Sequence, residues 1–210
     1  MKNFLFVIGL AAAVFASCKD VDEPHSYPDY ANLEVGNYWV YGRYSLDTNG
    51  VYTDLNIRDT IYVEKDTLIG GNTYFKYINR LPEPPFTYVP LYLRDSLHYI
   101  VNWQGKVLFS SENTVDTLAS RYFLAGQDTV CYIFSKMAGT DESITTPAGS
   151  FTVKSYRTTY RMWPGFDDWG TVRYENRRYA EDVGIVEESL YFFISDRRYY
   201  IRRLITYGHH

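Results

Sequence analysis

Ile57-Arg58-Asp59-Thr60-Ile61-Tyr62-Val63-Glu64-Lys65, then Gly70-Gly71-Asn72, then Thr73-Tyr74-Phe75-Lys76-Tyr77-Ile78 is the stretch on which the fold turns. Ile61 and Val63 alternate with Thr60, Tyr62 and Glu64, the period-two pattern of a strand with one buried face. Gly-Gly-Asn supplies residues that adopt positive φ without steric cost, as a tight turn requires. The aromatic and β-branched run after it reads as the returning strand of a hairpin. A hairpin cannot bury its apolar face alone, so this one predicts a larger sheet.

The chain on either side supplies that sheet. Upstream, Asn37 to Tyr44 is aromatic and β-branched, and Asp47-Thr48-Asn49-Gly50 turns it toward Ile57. Downstream, Pro82, Pro84 and Pro85 mark a loop where no central strand can run. Residues 89–94, 97–103 and 106–109 follow as short strands, with Asp95-Ser96 and Gln104-Gly105 between them. Longer strands are expected over 128–135, 150–160, 171–179, 185–195 and 198–207, the last two meeting at an Asp196-Arg197 tip. In the final strand Tyr199, Ile201, Arg203, Ile205 and Tyr207 share a face. One segment leaves two readings open. Val115, Leu118, Ala119, Tyr122 and Phe123 have helical spacing, with Gly126 placed to end a helix, while 121–124 reads equally as a strand. The expected fold is all-β: a single strongly curved antiparallel sheet, half-barrel or barrel, with at most one short helix. It occupies one domain over residues 31–208.

The first residues address the chain. Lys2, the apolar run Phe4 to Ala16, and small residues before a cut site make residues 1–17 a secretory signal peptide. That run is shorter than the ~20 residues that span a bilayer as a helix. Cys18 after Ala16-Ser17 resembles the lipobox of bacterial lipoproteins, with Phe15 where an aliphatic residue is usual. The resemblance implies a lipidated Cys18 and membrane attachment through that anchor. Residues 18–30, rich in Pro and acids, read as a flexible tether. Lys19-Asp20-x-Asp22-Glu23 also resembles the acidic export signal of Bacteroides-type lipoproteins, which implies the outer membrane and cell-surface exposure.

Composition narrows the partners. The chain has 21 basic and 25 acidic residues and a net charge of −4, which argues against nucleic acid, a ligand that wants a basic face. With Cys18 acylated, Cys131 is the one remaining thiol and reads as a buried small hydrophobe. The 22 tyrosines suit a thin sheet wetted on one side, and equally a polar aromatic binding surface.

Five phrases together resemble a group of small surface or outer-membrane lipoproteins of Bacteroides-type bacteria. They are Val35-Gly36-Asn37-Tyr38-Trp39-Val40-Tyr41, residues 66–76, Tyr92-Leu93-Arg94-Asp95, Thr146-Pro147-Ala148-Gly149-Ser150-Phe151, and Tyr179-Ala180-Glu181-Asp182-Val183-Gly184-Ile185-Val186. The likeness implies a curved antiparallel sheet akin to the half-barrels of lipoprotein carriers, and no assigned activity. Physically, Thr-Pro-Ala-Gly is turn chemistry, and Gly184 stands where a bend or bulge would start a strand.

Chemistry is sparse. Of four histidines only His98 lies within the domain, beside Leu97 and Tyr99, and it reads as a satisfied structural side chain. No nucleophile elbow, zinc-binding helix motif or phosphate-cradling glycine loop occurs, so no catalytic residue, metal or cofactor is assigned. Asp47-Thr48-Asn49-Gly50 begins like a calcium loop but lacks its downstream Glu, and reads as a turn. The best ligand-binding candidate is the loop holding Trp163, Phe166, Asp167, Asp168 and Trp169, where flat rings flank carboxylates. The alternative is that these tryptophans plug the barrel end while the Asp pair caps turns.

The expectation is therefore a non-enzymatic, lipid-anchored binding or carrier module. Its ligand would be an apolar small molecule in the concavity or a glycan on the Tyr/Trp face. The competing class is a structural accessory that docks on another envelope protein. A carbohydrate-active protein using the 163–169 loop is the third.

Overall fold

A computed structural model describes residues 26–80, 87–168, 170–190 and 199–209. The signal peptide, Cys18 and the start of the tether, the Pro82–Pro85 loop, Trp169 and the Asp196-Arg197 tip lie outside the described residues. Among the described residues there are thirteen strands: β1 (Tyr38–Leu46), β2 (Tyr52–Ile69), β3 (Asn72–Arg80), β4 (Tyr88–Ser96), β5 (Tyr99–Asn102), β6 (Val107–Ser110), β7 (Ala119–Ala125), β8 (Asp128–Met137), β9 (Glu142–Thr146), β10 (Gly149–Met162), β11 (Val172–Ala180), β12 (Gly184–Leu190) and β13 (Tyr199–Gly208). They form one antiparallel sheet in the order β6-β5-β4-β3-β2-β1-β13-β12-β11-β10-β8-β7, with β9 continuing the β8 edge along β10.

The first and last strands are therefore neighbours, and the sheet coils until β6 meets the β8 side. The two edges meet without a backbone ladder. Ser110 N–H donates to Met137 Sδ (3.4 Å), and the Tyr156 hydroxyl donates to the Val107 carbonyl (3.4 Å). The result is a nearly closed barrel with one seam.

Local chemistry accounts for the strands. Ile61 and Val63 are buried, while Thr60, Tyr62 and Glu64 are exposed, as alternation requires. Gly70 and Gly71 both adopt positive φ (58° and 81°) in the two-residue turn between β2 and β3, matching the twist of the hairpin. Gly184 (φ 95°) opens β12 against Trp39, whose indole N–H donates to the Val183 carbonyl (2.6 Å). Among the described residues there is no helix. Residues 119–125 of this segment form the edge strand β7, because β8 offers them a free ladder and Gly126 closes a hairpin rather than a helix. Asn113 Oδ1 accepts the N–H groups of Val115 and Asp116 and holds the preceding turn.

One end of the barrel is plugged by the segment before β1. Asp29 Oδ1 accepts the N–H groups of Ala31 and Asn32 (2.8 and 2.7 Å), and Tyr30 and Leu33 insert into the core. Tyr30, assigned by sequence to the end of the tether, thus packs with the domain. Trp39, Tyr77, Leu93, Ile100, Phe109, Val186 and Leu204 fill this end.

Candidate functional site

Register places a row of polar side chains inside the barrel. Met137, Tyr156, Arg177, Glu188, Arg202 and Arg43 are successive cross-strand partners on β8, β10, β11, β12, β13 and β1. Directly opposite residues have Cβ atoms about 5 Å apart, so charges in such a row must meet. Arg177 Nε donates to Glu188 Oε2 (3.1 Å), and Arg202 donates to Glu188 Oε1. Arg43 grips Asp59 of β2 with two bonds (2.6 and 2.9 Å), and Arg80 adds a third (3.0 Å). Arg202 also donates to Asn79 Oδ1 (3.2 Å) and lies over the Tyr41 ring (5.5 Å).

Two carboxylates, Asp59 and Glu188, thus serve four guanidiniums: Arg43, Arg80, Arg177 and Arg202. Arginine cannot shed its proton under physiological conditions, so Asp59 and Glu188 each face two permanent positive charges. Burial pushes the Arg202 guanidinium below its ordinary range and Arg177 adds to that, while Tyr41, Tyr77 and Asp59 act the other way. Tyr77 and Tyr179, buried beside the row, are pushed up to about 12 by burial and remain neutral.

Toward the other end of the barrel the interior opens into a cavity of about 500 Å³. One wall is Gly105 to Leu108, and the opposite wall is Leu118 to Arg121, so the cavity lies along the seam. Its depth is formed by Ile133, Tyr156, Tyr160, Glu175 and Arg177. Arg177 borders this void, and 44% of its side chain is accessible. The Tyr160 hydroxyl donates to Glu175 Oε2 at 2.7 Å. Burial raises the Glu175 carboxyl above the usual range, although Tyr160 and Arg177 work against that. In Glu175's own cross-strand row, Thr158 and Ser135 share a hydroxyl hydrogen bond (2.9 Å).

The residues singled out from sequence sit elsewhere. Trp163 and Phe166 are 46% and 37% exposed on the β10–β11 turn, with Trp163 edge-on to Tyr122. Trp163 therefore does not plug the barrel. Asp167 Oδ1 accepts the Gly165 N–H (3.3 Å), and its carbonyl accepts the Gly170 N–H (2.7 Å), so it braces its own turn. Asp168 is exposed. His98 sits in the β4–β5 turn, bonded to Ser110 Oγ (2.9 Å) and packed on Tyr99. Cys131 is fully buried among Val130, Ile133, Tyr160 and Met162. Asp47 Oδ1 accepts the Asn49 and Val51 N–H groups, completing a turn. No cluster able to hold a metal ion occurs among the described residues.

Sequence reading missed the inner row and Tyr160. A signal existed: Arg173, Glu175, Arg177 and Tyr179 alternate at strand spacing on one face of β11. In the final strand, Ile201, Arg203 and Ile205 were grouped on one face, but a bulge opposite Val40/Tyr41 changes the phase. Arg202 and Leu204 take the core, and Arg203 lies outside with its guanidinium 3.9 Å from the Tyr52 ring centroid.

Fold and site together define a nearly closed antiparallel β-barrel with a charged interior cavity along its seam. No protein-family model and no curated protein matches the chain. It is similar to the solved structure of a candidate lipoprotein from Parabacteroides distasonis (15% identity, TM-score 0.47, 88% of this chain and 100% of that one). It is also similar to a candidate exported protein with a YmcC-like fold from Bacteroides fragilis (12% identity, TM-score 0.49, 87% and 100%).

Proposed function

We propose that this protein is a cell-envelope lipoprotein, tethered to the outer membrane through Cys18, whose barrel is a non-catalytic binding or carrier module. The single observation that carries the binding reading is the cavity of about 500 Å³ along the seam. Ligand sites typically span ~300–1,000 Å³ with a few convergent polar groups, and this one presents Tyr160, Glu175 and Arg177 at its depth. Sequence chemistry carries the anchor: a cationic start, a short apolar run and Cys18 before an acidic segment. Stable attachment follows when Cys18 bears more than one acyl chain.

Two measurements test this. Mass spectrometry of protein taken from envelopes should find a mature start at acylated Cys18, and Cys18→Ser should move the protein to the soluble fraction. A start elsewhere with an unmodified thiol sinks the anchor. Amide shift mapping with small-molecule mixtures should perturb Gly105, Ser120, Asn176 and Ser189, which line the cavity. Shifts confined to the outer surface sink the module.

A second reading rests on Trp163, Phe166 and Tyr122, exposed rings gathered near one end of the barrel. With Asp167, Asp168 and Trp169 they would stack on and bind a glycan. A glycan array on which Trp163→Ala binds as wild type removes it.

A further inference from the structure

We propose that the seam cavity takes a small organic anion, its carboxylate or phosphate seated among Lys106, Arg121 and Arg177. This rests on the binding-module reading and names the ligand class. The three cations reach one void from separate elements: Lys106 from the β5–β6 turn, Arg121 from β7 and Arg177 from β11. Arg121 is there by register, because it pairs with Ile133, whose side chain also faces the void. Among the described residues the one carboxylate in the lining is Glu175, already engaged by the Tyr160 hydroxyl. Among the described residues neither Lys106 nor Arg121 has a carboxylate at ion-pair distance. Arg177 has Glu188, but shares it with Arg202.

The cations also feel one another. Lys106 is held below the ordinary lysine range by burial first, and then by Arg177 and Arg121. Like charges turned toward one space are unfavourable unless something of opposite sign fills it. The chain as a whole is acidic, at −4, so this interior runs against its average. Guanidinium groups suit carboxylate and phosphate because their donors form a planar fork that matches two oxygens. Leu108, Leu118 and Ile133 offer apolar wall to the rest of such a molecule, and Tyr156 offers a ring.

The mature chain is titrated at constant ionic strength with glucose, glucuronate and glucose 6-phosphate, and with octanol and octanoate. The readouts are the cavity amides of Gly105, Ser120, Asn176 and Ser189 and the thermal midpoint. An anion is expected to bind roughly tenfold or more tightly than its neutral counterpart, equivalent to ~1.4 kcal/mol. Glucuronate against glucose 6-phosphate tells carboxylate from phosphate. The double variant Lys106→Gln, Arg121→Gln should lose that preference, while its ligand-free midpoint stays level or rises because repulsion is relieved. Neutral compounds binding as tightly as the acids overturn the anion assignment and leave the module standing. Silence of the cavity amides toward all five compounds overturns both. A clear drop in the ligand-free midpoint of the double variant shows that these cations hold the fold, and overturns the anion site.

Discussion

The two halves of the barrel interior share only the strands β6, β11 and β12 in their walls, and they end in opposite states. At the plugged end, Trp39, Tyr77, Leu93 and Ile100 close around Tyr30 and Leu33, leaving a void of about 60 Å³. At the seam end, Tyr160, Glu175 and Arg177 border about 500 Å³. The difference lies in what covers each half. The plugged end has an extra segment of chain whose apolar side chains enter the core and whose backbone is capped by Asp29. The seam end lacks a ladder between β6 and β7, and the charged Lys106, Arg121, Glu175 and Arg177 in its lining oppose collapse. Hydrophobic burial drives dense packing only where apolar surface faces apolar surface.

The comparison can be broken first at the packed half. Trp39→Ala removes a fully buried indole together with its bond to Val183 and should cost about 3–5 kcal/mol, read by chemical denaturation. An effect on the scale of a surface substitution would mean this half is not the core. Next is the charged floor between the halves. Asp59→Asn leaves Arg43 and Arg80 short of their shared carboxylate and should cost about 3 kcal/mol by the same measurement.

Substitutions in the seam half should be gentler. Tyr160→Phe deletes one hydrogen bond to Glu175, worth about 1 kcal/mol. Because that bond favours the carboxylate, NMR titration should find the Glu175 pKa higher still in the variant. The wild-type shift has a defined sign. A carboxyl whose folded pKa is raised contributes stability below its unfolded value, and loses it as pH climbs through the folded value. Glu175→Gln should therefore gain stability relative to wild type as pH rises from the ordinary carboxylate range toward neutrality, and a constant difference across that range would contradict the shift. The smallest effect is expected outside both halves. Trp163→Ala, on its exposed turn, should change stability by less than about 0.5 kcal/mol.

Particular residues show why some of this was legible in the chain and some was not. Ile61 and Val63 announced a half-buried strand, and Gly70-Gly71 its turn, because alternation and positive φ are local properties. Gly184, which reads as a bend or bulge, takes positive φ where the 181–183 turn enters β12. The 115–125 segment has spacing that suits helix and strand alike, and only the free edge of β8 selects the strand. The loop with Trp163 and Asp167 drew attention through composition, yet Asp167 spends its polar groups on its own turn. Arg177, Glu188 and Arg202 lie on three different strands, so their meeting is not a local property of the sequence.

Local rules in the chain set the strands and the hairpin turns, since each depends on neighbours a few residues away, whereas the β1–β13 pairing joins the two ends of the domain. Which face of each strand points inward depends on register across six strands, and on bulges such as the one that puts Arg202 rather than Arg203 inside. Glu188 and Arg202 are 14 residues apart in sequence, and Arg202 and Asn79 are 123 apart. Charge pairing over such separations, and the cavity beside it, exist only once the sheet has closed on itself.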